Sequence, residues 1–130
     1  MNTQKIRAGV VGAGLRFAHI RELMSRPESP FTLRAVADTS GPARTAVRTA
    51  QPDLHVYSDY RELANDADVD AVFVLAPDFL HGDIGMASLQ AGKATFIAHD
   101  ADDLFRDAVR QLIGIRVGGK QSGTGTRPAP

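Results

Sequence analysis

The stretch Ile6-Arg-Ala-Gly-Val-Val-Gly12-Ala-Gly14-Leu-Arg-Phe17-Ala-His19, continued by Ala35-Val-Ala-Asp38, decides how this chain folds. An apolar run stops on a Gly-x-Gly turn, passes into helical spacing, and a second apolar run stops on an aspartate. Strand, glycine turn and helix in that order make a cradle for a dinucleotide. Gly12 allows the tight turn, and Gly14 lets the backbone come close to a pyrophosphate. The amides that open the following helix face the phosphates, and the helix dipole favours their charge. Asp38 stands 21 residues beyond Phe17, the distance at which a carboxylate accepts hydrogen bonds from a ribose diol. Phe17 itself occupies the third position of the fingerprint, which is ordinarily small.

Outward from this stretch, apolar runs and helical-period segments alternate. Ile6–Val11, Phe31–Ala37, Leu54–Tyr57, Ala71–Leu75 and Ala94–Ala98 read as strands. Between them, Phe17, Ile20 and Met24 share a helical face, as do Ala43, Ala46, Val47 and Ala50. Tyr60, Leu63, Ala64 and Ala67 follow the same periodicity, and Leu80, Ile84, Ala87 and Ala91 approach it. Ser40 ahead of Pro42 marks the start of the second helix, and Ser58 the start of the third. The alternation predicts an α/β fold: a Rossmann-type, doubly wound parallel sheet of about five strands with helices on both faces. Strand order 3-2-1-4-5 puts a crevice at the ends of strands one and four.

A last helix is expected over about Ala101–Ile113, with Leu104, Phe105, Ala108, Val109, Leu112 and Ile113 on one side. Asp100 is its candidate cap, and Asp102 and Asp103 suit its dipole. The dinucleotide-binding domain so read covers 1–113. Residues 114–130 are rich in glycine, end in Pro-Ala-Pro, lack apolar periodicity and are expected to form a disordered tail. Ile115–Val117 are the candidate for a short sixth strand. From residue 108 onward there are four bases and no acids, but no interleaved aromatic residue to stack on nucleobases, so a solvated terminus is expected.

At 130 residues the chain is one domain, long enough to bury a core. Bases and acids balance at 15 each, so the net charge asks for neither a polyanion nor a membrane surface. The absence of cysteine removes disulfides, thiolate nucleophiles and cysteine metal sites together. No apolar stretch reaches spanning length and no signal peptide is legible, so a soluble, cytoplasmic chain with no membrane or nucleic-acid partner is expected. The four histidines are scattered without metal-ligand spacing, so no metal is expected. Asp68 and Asp70 read as turn residues ahead of strand four, not as a catalytic pair. Tyr57 and Tyr60 read as packing residues, His55 as simply exposed, and His19 as a packing or interface residue.

Taken in order, these segments resemble the N-terminal domain of the glucose–fructose oxidoreductase, inositol dehydrogenase and rhizopine-catabolism (Gfo/Idh/MocA) family. The resemblance covers about residues 4–97. It is carried by Gly12-Ala-Gly14 with His19, Ala37-Asp38 with Arg44, and Tyr57-Ser-Asp59-Tyr60-Arg61-Glu-Leu63. Asp68-Val-Asp70-Ala-Val72, Ala76-Pro77-Asp78-Phe-Leu-His81 and Ala91-Gly92-Lys93 continue it. It implies an NAD(P)-dependent sugar or polyol oxidoreductase whose second, larger α+β domain holds the substrate. NAD is the implied cofactor, with NADP as the alternative. On this resemblance Gly12, Gly14 and Leu15 with Arg16 fall at the phosphates, and Asp38 with Thr39 and Arg44 at the adenosine. Ala76, Pro77 and His81 fall beside the nicotinamide half.

Two of these residues carry a second reading. The Asp38 carboxylate accepts the ribose hydroxyls of NAD and repels the 2′-phosphate of NADP, or it is a helix or turn cap. Two unit charges 4 Å apart interact by about 4 kcal/mol at an effective dielectric of 20, which favours NAD. His81 is a cofactor-side histidine or an ordinary residue at a helix start.

The chain departs from the family pattern in two ways. Where members continue into Glu-Lys-Pro, with a lysine that assists proton transfer, this chain reads Ala98-His99-Asp100. His99 is therefore the candidate acid or base. The substrate domain is also missing from these 130 residues. The expectation is a truncated NAD(P)-binding domain that holds NAD(H) without turning over a sugar alone. Two alternatives stand beside it. One is half of a split dehydrogenase, completed by a substrate-domain protein or by self-association. The other is an inert or regulatory remnant that associates with a full-length relative.

Overall fold

Ile6–Val11 forms β1, the middle strand of the sheet, and from Ala8 onward it is buried on both faces because helices cover both. The computed structural model describes residues 5–12, 14–76, 80–97 and 105–111, without the side chains of Leu15 and Arg16. After β1 come α1 (Leu15–Ser25), β2 (Phe31–Ala37), α2 (Gly41–Ala50), β3 (His55–Tyr57) and α3 (Tyr60–Ala64). β4 (Ala71–Val74), α4 (His81–Gln90), β5 (Ala94–Ile97) and a helical segment at 105–111, here α5, complete the described chain. All strands pair in parallel in the order β3-β2-β1-β4-β5. This is the doubly wound arrangement that the alternation of strands and helices predicts.

Strand residues divide between two apolar layers with period two. Val10, Phe31, Leu33, Val36 and Phe73 meet Phe17, Ile20 and Met24 of α1, Val47 of α2 and Ala108 of α5. Val11, Ala35, Ala37, Val72 and Val74 meet Leu63 of α3 and Ile84 of α4. In the first layer the Phe31 and Phe73 rings cross edge to face at 5.0 Å, and both side chains are fully buried. In the second, Gly9 lets α3 approach the sheet. A Cβ there would lie 2.8 Å from Leu63 Cδ2. The period breaks once, where Ala8 pairs with Leu33 but Gly9 with Ala35. Arg34 is the extra residue of this bulge, and it projects to the surface to pair with Asp68 at 2.7 Å.

Several boundaries differ from expectation. β3 begins at His55 rather than Leu54, and β4 ends at Val74 rather than Leu75. α3 is capped by Asp59, not Ser58: its carboxylate accepts the Arg61 N–H at 2.8 Å. Ala67 lies beyond the end of that helix and is exposed, because Asn65 already closes it. Only Val47 of the expected α2 face is buried. Ser40 caps α2 as expected, accepting the Ala43 N–H at 3.2 Å. In α5, Ala108 is buried and Phe105 and Val109 pack against the first layer. Ala98, Asp100, Asp102, Asp103, Leu104, Leu112, Ile113, the candidate strand Ile115–Val117 and the tail lie outside the described residues.

Polar side chains brace the turns. Asp68 and Asp70 are turn residues, as expected, and Arg7 of β1 reaches both, each at 3.0 Å. Arg7 holds the Asp70 carboxyl below its ordinary range, and Arg34, with Arg7 behind it, does the same for Asp68. Two residues do more than the sequence suggests. His55 Nδ1 lies 2.7 Å from Asp66 Oδ2, and the Tyr57 hydroxyl donates to the same oxygen at 2.8 Å. Burial, then the neighbouring Asp66, pushes the Tyr57 phenol up to about 12. Lys93 donates to the carbonyl of Asp66 at 2.7 Å and to that of Val69. The lysine of Ala91-Gly92-Lys93 thus fastens the α3–β4 turn.

Candidate functional site

A cleft of about 650 Å3 opens where the chain leaves the C-terminal ends of β1, β2 and β4. In parallel sheets a ligand binds in this position because the connections diverge there. Gly12 forms its floor. Its N–H donates to the Ala37 carbonyl at 2.8 Å, and the Leu75 N–H donates to the Val11 carbonyl at 2.9 Å. The turn is therefore pinned between its two neighbouring strands. Gly12 has φ +107°, and a Cβ would meet the Ala76 nitrogen and the Leu75 carbonyl carbon, both at 3.0 Å. Only glycine satisfies both conditions.

Gly14 is different. It sits at the N-cap of α1 with φ −83° and ψ −151°, a conformation open to other residues. A Cβ there would meet nothing within 4 Å. Gly14 lines the cleft, so a side chain at this position would occupy ligand space, not protein space. No side chain caps α1, and its first turn holds no acid. The start of α1 therefore carries no carboxylate that would compete with an anion for its opening amides. Phe17 is 7% exposed and belongs to the first apolar layer while its edge lines the cleft. In place of a small third residue, this chain packs an aromatic ring between helix and sheet.

Asp38 and Thr39 line the same cleft at the end of β2. Asp38 Oδ1 accepts the Ser40 N–H at 2.7 Å, so the carboxylate does cap the turn into α2. The turn-cap reading of Asp38 therefore holds, and the residue also borders the cleft. Arg44 turns back along the turn and donates to the Asp38 carbonyl at 2.9 Å. Ala76 lines the opposite side with Leu75. His81 lies 2.8 Å through Nε2 from the Ala76 carbonyl, which can only accept, so Nε2 carries the proton. The described sequence candidates thus gather around one cleft: Gly12, Gly14, Asp38, Thr39 and Ala76 on its wall, Arg44 and His81 one bond behind. Leu15 and Arg16 open α1, but their side chains, like Pro77 and His99, lie outside the described residues.

Eight lining residues were not among the sequence candidates: Val11, Phe17 and Ala37 within the fingerprint stretch, and Ser58, Tyr60, Leu75, Leu80 and Ile84 beyond it. Topology holds the signal that would have found them. In a parallel sheet every strand–helix turn emerges on one edge, so Ser58–Tyr60, after β3, faces the same opening as Gly12–Gly14. The Asp38 N–H donates to the Tyr57 carbonyl at 3.0 Å and ties these turns together.

The geometry agrees with what the chain is similar to. Residues 6–99 match the profile of the oxidoreductase family with an NAD-binding Rossmann fold. Inositol 2-dehydrogenase of Salmonella typhimurium is 34% identical over 118 residues, covering 89% of this chain and 35% of that protein. The chain spans about a third of the length of the curated relatives it matches. Among crystal structures, scyllo-inositol dehydrogenase from Lactobacillus casei with bound NAD(H) and scyllo-inositol superposes with a TM-score of 0.66 at 20% identity, over 85% of this chain and 34% of that one. Biliverdin reductase from Synechocystis, in complex with biliverdin and NADP+, gives 0.65 at 22% identity, over 82% and 35%. These two likenesses speak for the fold, and the family profile speaks for more: the chain belongs to the Gfo/Idh/MocA oxidoreductase family and carries its NAD-binding Rossmann domain.

Proposed function

We propose that the cleft holds NAD(H) across the ends of β2, β1 and β4, as the nucleotide-binding part of a polyol oxidoreductase. One observation carries this reading: Gly12 has no room for a side chain, and at Gly14 a side chain would enter the cleft at the mouth of α1. A bound pyrophosphate explains why both positions are glycine. In this reading Gly12 and Gly14, with the backbone of Leu15 and Arg16, receive the phosphates. Asp38 accepts the adenosine ribose diol, with Thr39 beside it. Arg44 donates to the Asp38 carbonyl, and the negative charge of the Asp38 carboxylate disfavours a 2′-phosphate and selects NAD over NADP. Ala76 and Leu75 border the nicotinamide half, and Pro77 is assigned there with them. His81 holds the Ala76 carbonyl in place.

The nicotinamide, when bound, supplies a hydride acceptor or donor. The residues described here bind and orient it but form no enclosed alcohol site, and His99 is the candidate for moving a proton. We therefore assign these 130 residues to cofactor binding and the oxidation of a polyol to this domain acting with a substrate-holding partner or domain. Calorimetric titration with NAD+, NADH and NADPH tests the reading. Saturable binding of NADH with weaker binding of NADPH is expected, and no heat with any of the three overturns it. The split-dehydrogenase reading rests on the large apolar side chains Met86 and Leu89, 57% and 63% exposed on α4.

A further inference from the structure

The β2 side of the cleft offers a flat aromatic base few surfaces to lie on. Ala37, Asp38, Thr39 and Ser58 are small or polar, and Phe17 is committed to the core. Tyr60 is the remaining aromatic ring among the lining residues; it packs against the second apolar layer, as expected of a packing residue, but stays half-buried at the start of α3 and also lines the cleft. Its ring is braced by its neighbours. The Arg61 guanidinium lies 5.5 Å from the ring centroid, and Asp59 grips that guanidinium with two bonds, 3.0 and 2.9 Å. Asp59 also caps the helix that carries the ring. The brace is electrically neutral, so it fixes the ring without presenting a net charge to a ligand.

We propose that Tyr60 is the wall on which the adenine ring of the cofactor packs, with Arg61 and Asp59 as positioning residues behind it. The proposal deepens the dinucleotide reading and rests on it. Three facts support it. Tyr60 stands on the side of Asp38 and Thr39, where the adenosine of a dinucleotide lies when its pyrophosphate crosses Gly12–Gly14. The Asp38 N–H bond to the Tyr57 carbonyl keeps the ribose-side and Tyr60-bearing turns in fixed relation. Base–aromatic packing needs only a π face, which a half-buried ring supplies.

The chain contains two tyrosines and no tryptophan, so the difference in tyrosine emission between the parent and Tyr60→Phe reports on this contact. ADP-ribose, which carries the adenine but no nicotinamide, and NADH are titrated into the parent, Tyr60→Phe and Tyr60→Ala. In the parent both ligands should quench tyrosine emission as they bind. Tyr60→Phe should keep the affinity within about twofold and lose the quenching by ADP-ribose. Tyr60→Ala should weaken both ligands by about tenfold, the size of one base–aromatic contact. Parent-like affinity in Tyr60→Ala, or parent emission unmoved by saturating ADP-ribose, overturns the proposal and leaves the dinucleotide reading intact. Failure of the parent to bind either ligand overturns the dinucleotide reading instead. Should Tyr60→Ala not fold, Tyr60→Phe decides: retained quenching by ADP-ribose refutes the contact, and its loss at unchanged affinity supports it.

Discussion

Gly12 and Gly14 look alike in the sequence but answer to different constraints, and substitutions should separate them. Gly12 has φ +107° and backbone at 3.0 Å from where a Cβ would sit. Gly12→Ala should therefore lose stability, by about 1–3 kcal/mol for the strained backbone, which a thermal melt would read. Gly14 meets nothing within 4 Å, so Gly14→Val should melt with the parent yet lose NADH affinity at least tenfold. Both variants failing in the melt would place Gly14 in the fold and not in the cleft. Asp38 divides in the same way. An asparagine keeps the oxygen that accepts the Ser40 N–H and removes the charge. Asp38→Asn should hold the melting point and shift the NADPH-to-NADH affinity ratio at least fivefold toward NADPH. Two charges 4 Å apart in water already account for about 1 kcal/mol of that. An unchanged ratio would make the carboxylate a cap alone. The glycines and Asp38 were legible because their spacing is local. Tyr60, and His55 on Asp66, were not, because each acquires its role from a turn that only folding brings near.

At the scale of elements, apolar periodicity located every described strand and helix, and errors gathered at the ends. Leu54 and Leu75 look like strand, but each lies one residue outside it and is buried there. Ser58 and Asp59 both qualify as caps by residue type. The choice fell to Asp59 because its carboxylate also holds the Arg61 side chain, a contact that residue type alone does not reveal. The ion pairs that tie β1 to the β4 turn were equally hidden, and they give a pH dependence. Asp70 has its folded pKa lowered, first by its hydrogen bond to Arg7, and Asp68 first by Arg34 and then by Arg7. A lowered carboxyl pKa contributes stability above the unfolded value, near 4, and loses it as pH falls through the folded value. Arg7→Met should therefore melt below the parent at pH 7, and the gap should close as pH drops from about 4 toward 2. A gap that stays constant with pH would mean that the arginine stem, not its charge, stabilises the sheet.

For the whole molecule, order β3-β2-β1-β4-β5 follows from the same alternation that the sequence displays, since right-handed crossovers leave few other ways to cover both faces. What the sheet does not enclose is the reacting end of the cofactor. The cleft lies open between its turns, and the chain covers only 35% of the length of the Salmonella typhimurium inositol 2-dehydrogenase. Holding two reactants in register contributes about 7–11 kcal/mol to lowering a barrier, and an open cleft whose described residues form no alcohol site forfeits most of it. The pure 130-residue chain should thus bind NADH with ordinary saturation yet form no NADH from NAD+ and myo-inositol, scyllo-inositol or glucose above the rate without protein. Absorbance at 340 nm under cofactor saturation reads the turnover, and the calorimeter reads the binding in the same preparation. Binding without turnover is the expected pair of results. Steady NADH formation by the chain alone would overturn the division of labour proposed here, and replacement of His99 by alanine would then show whether that histidine moves the proton.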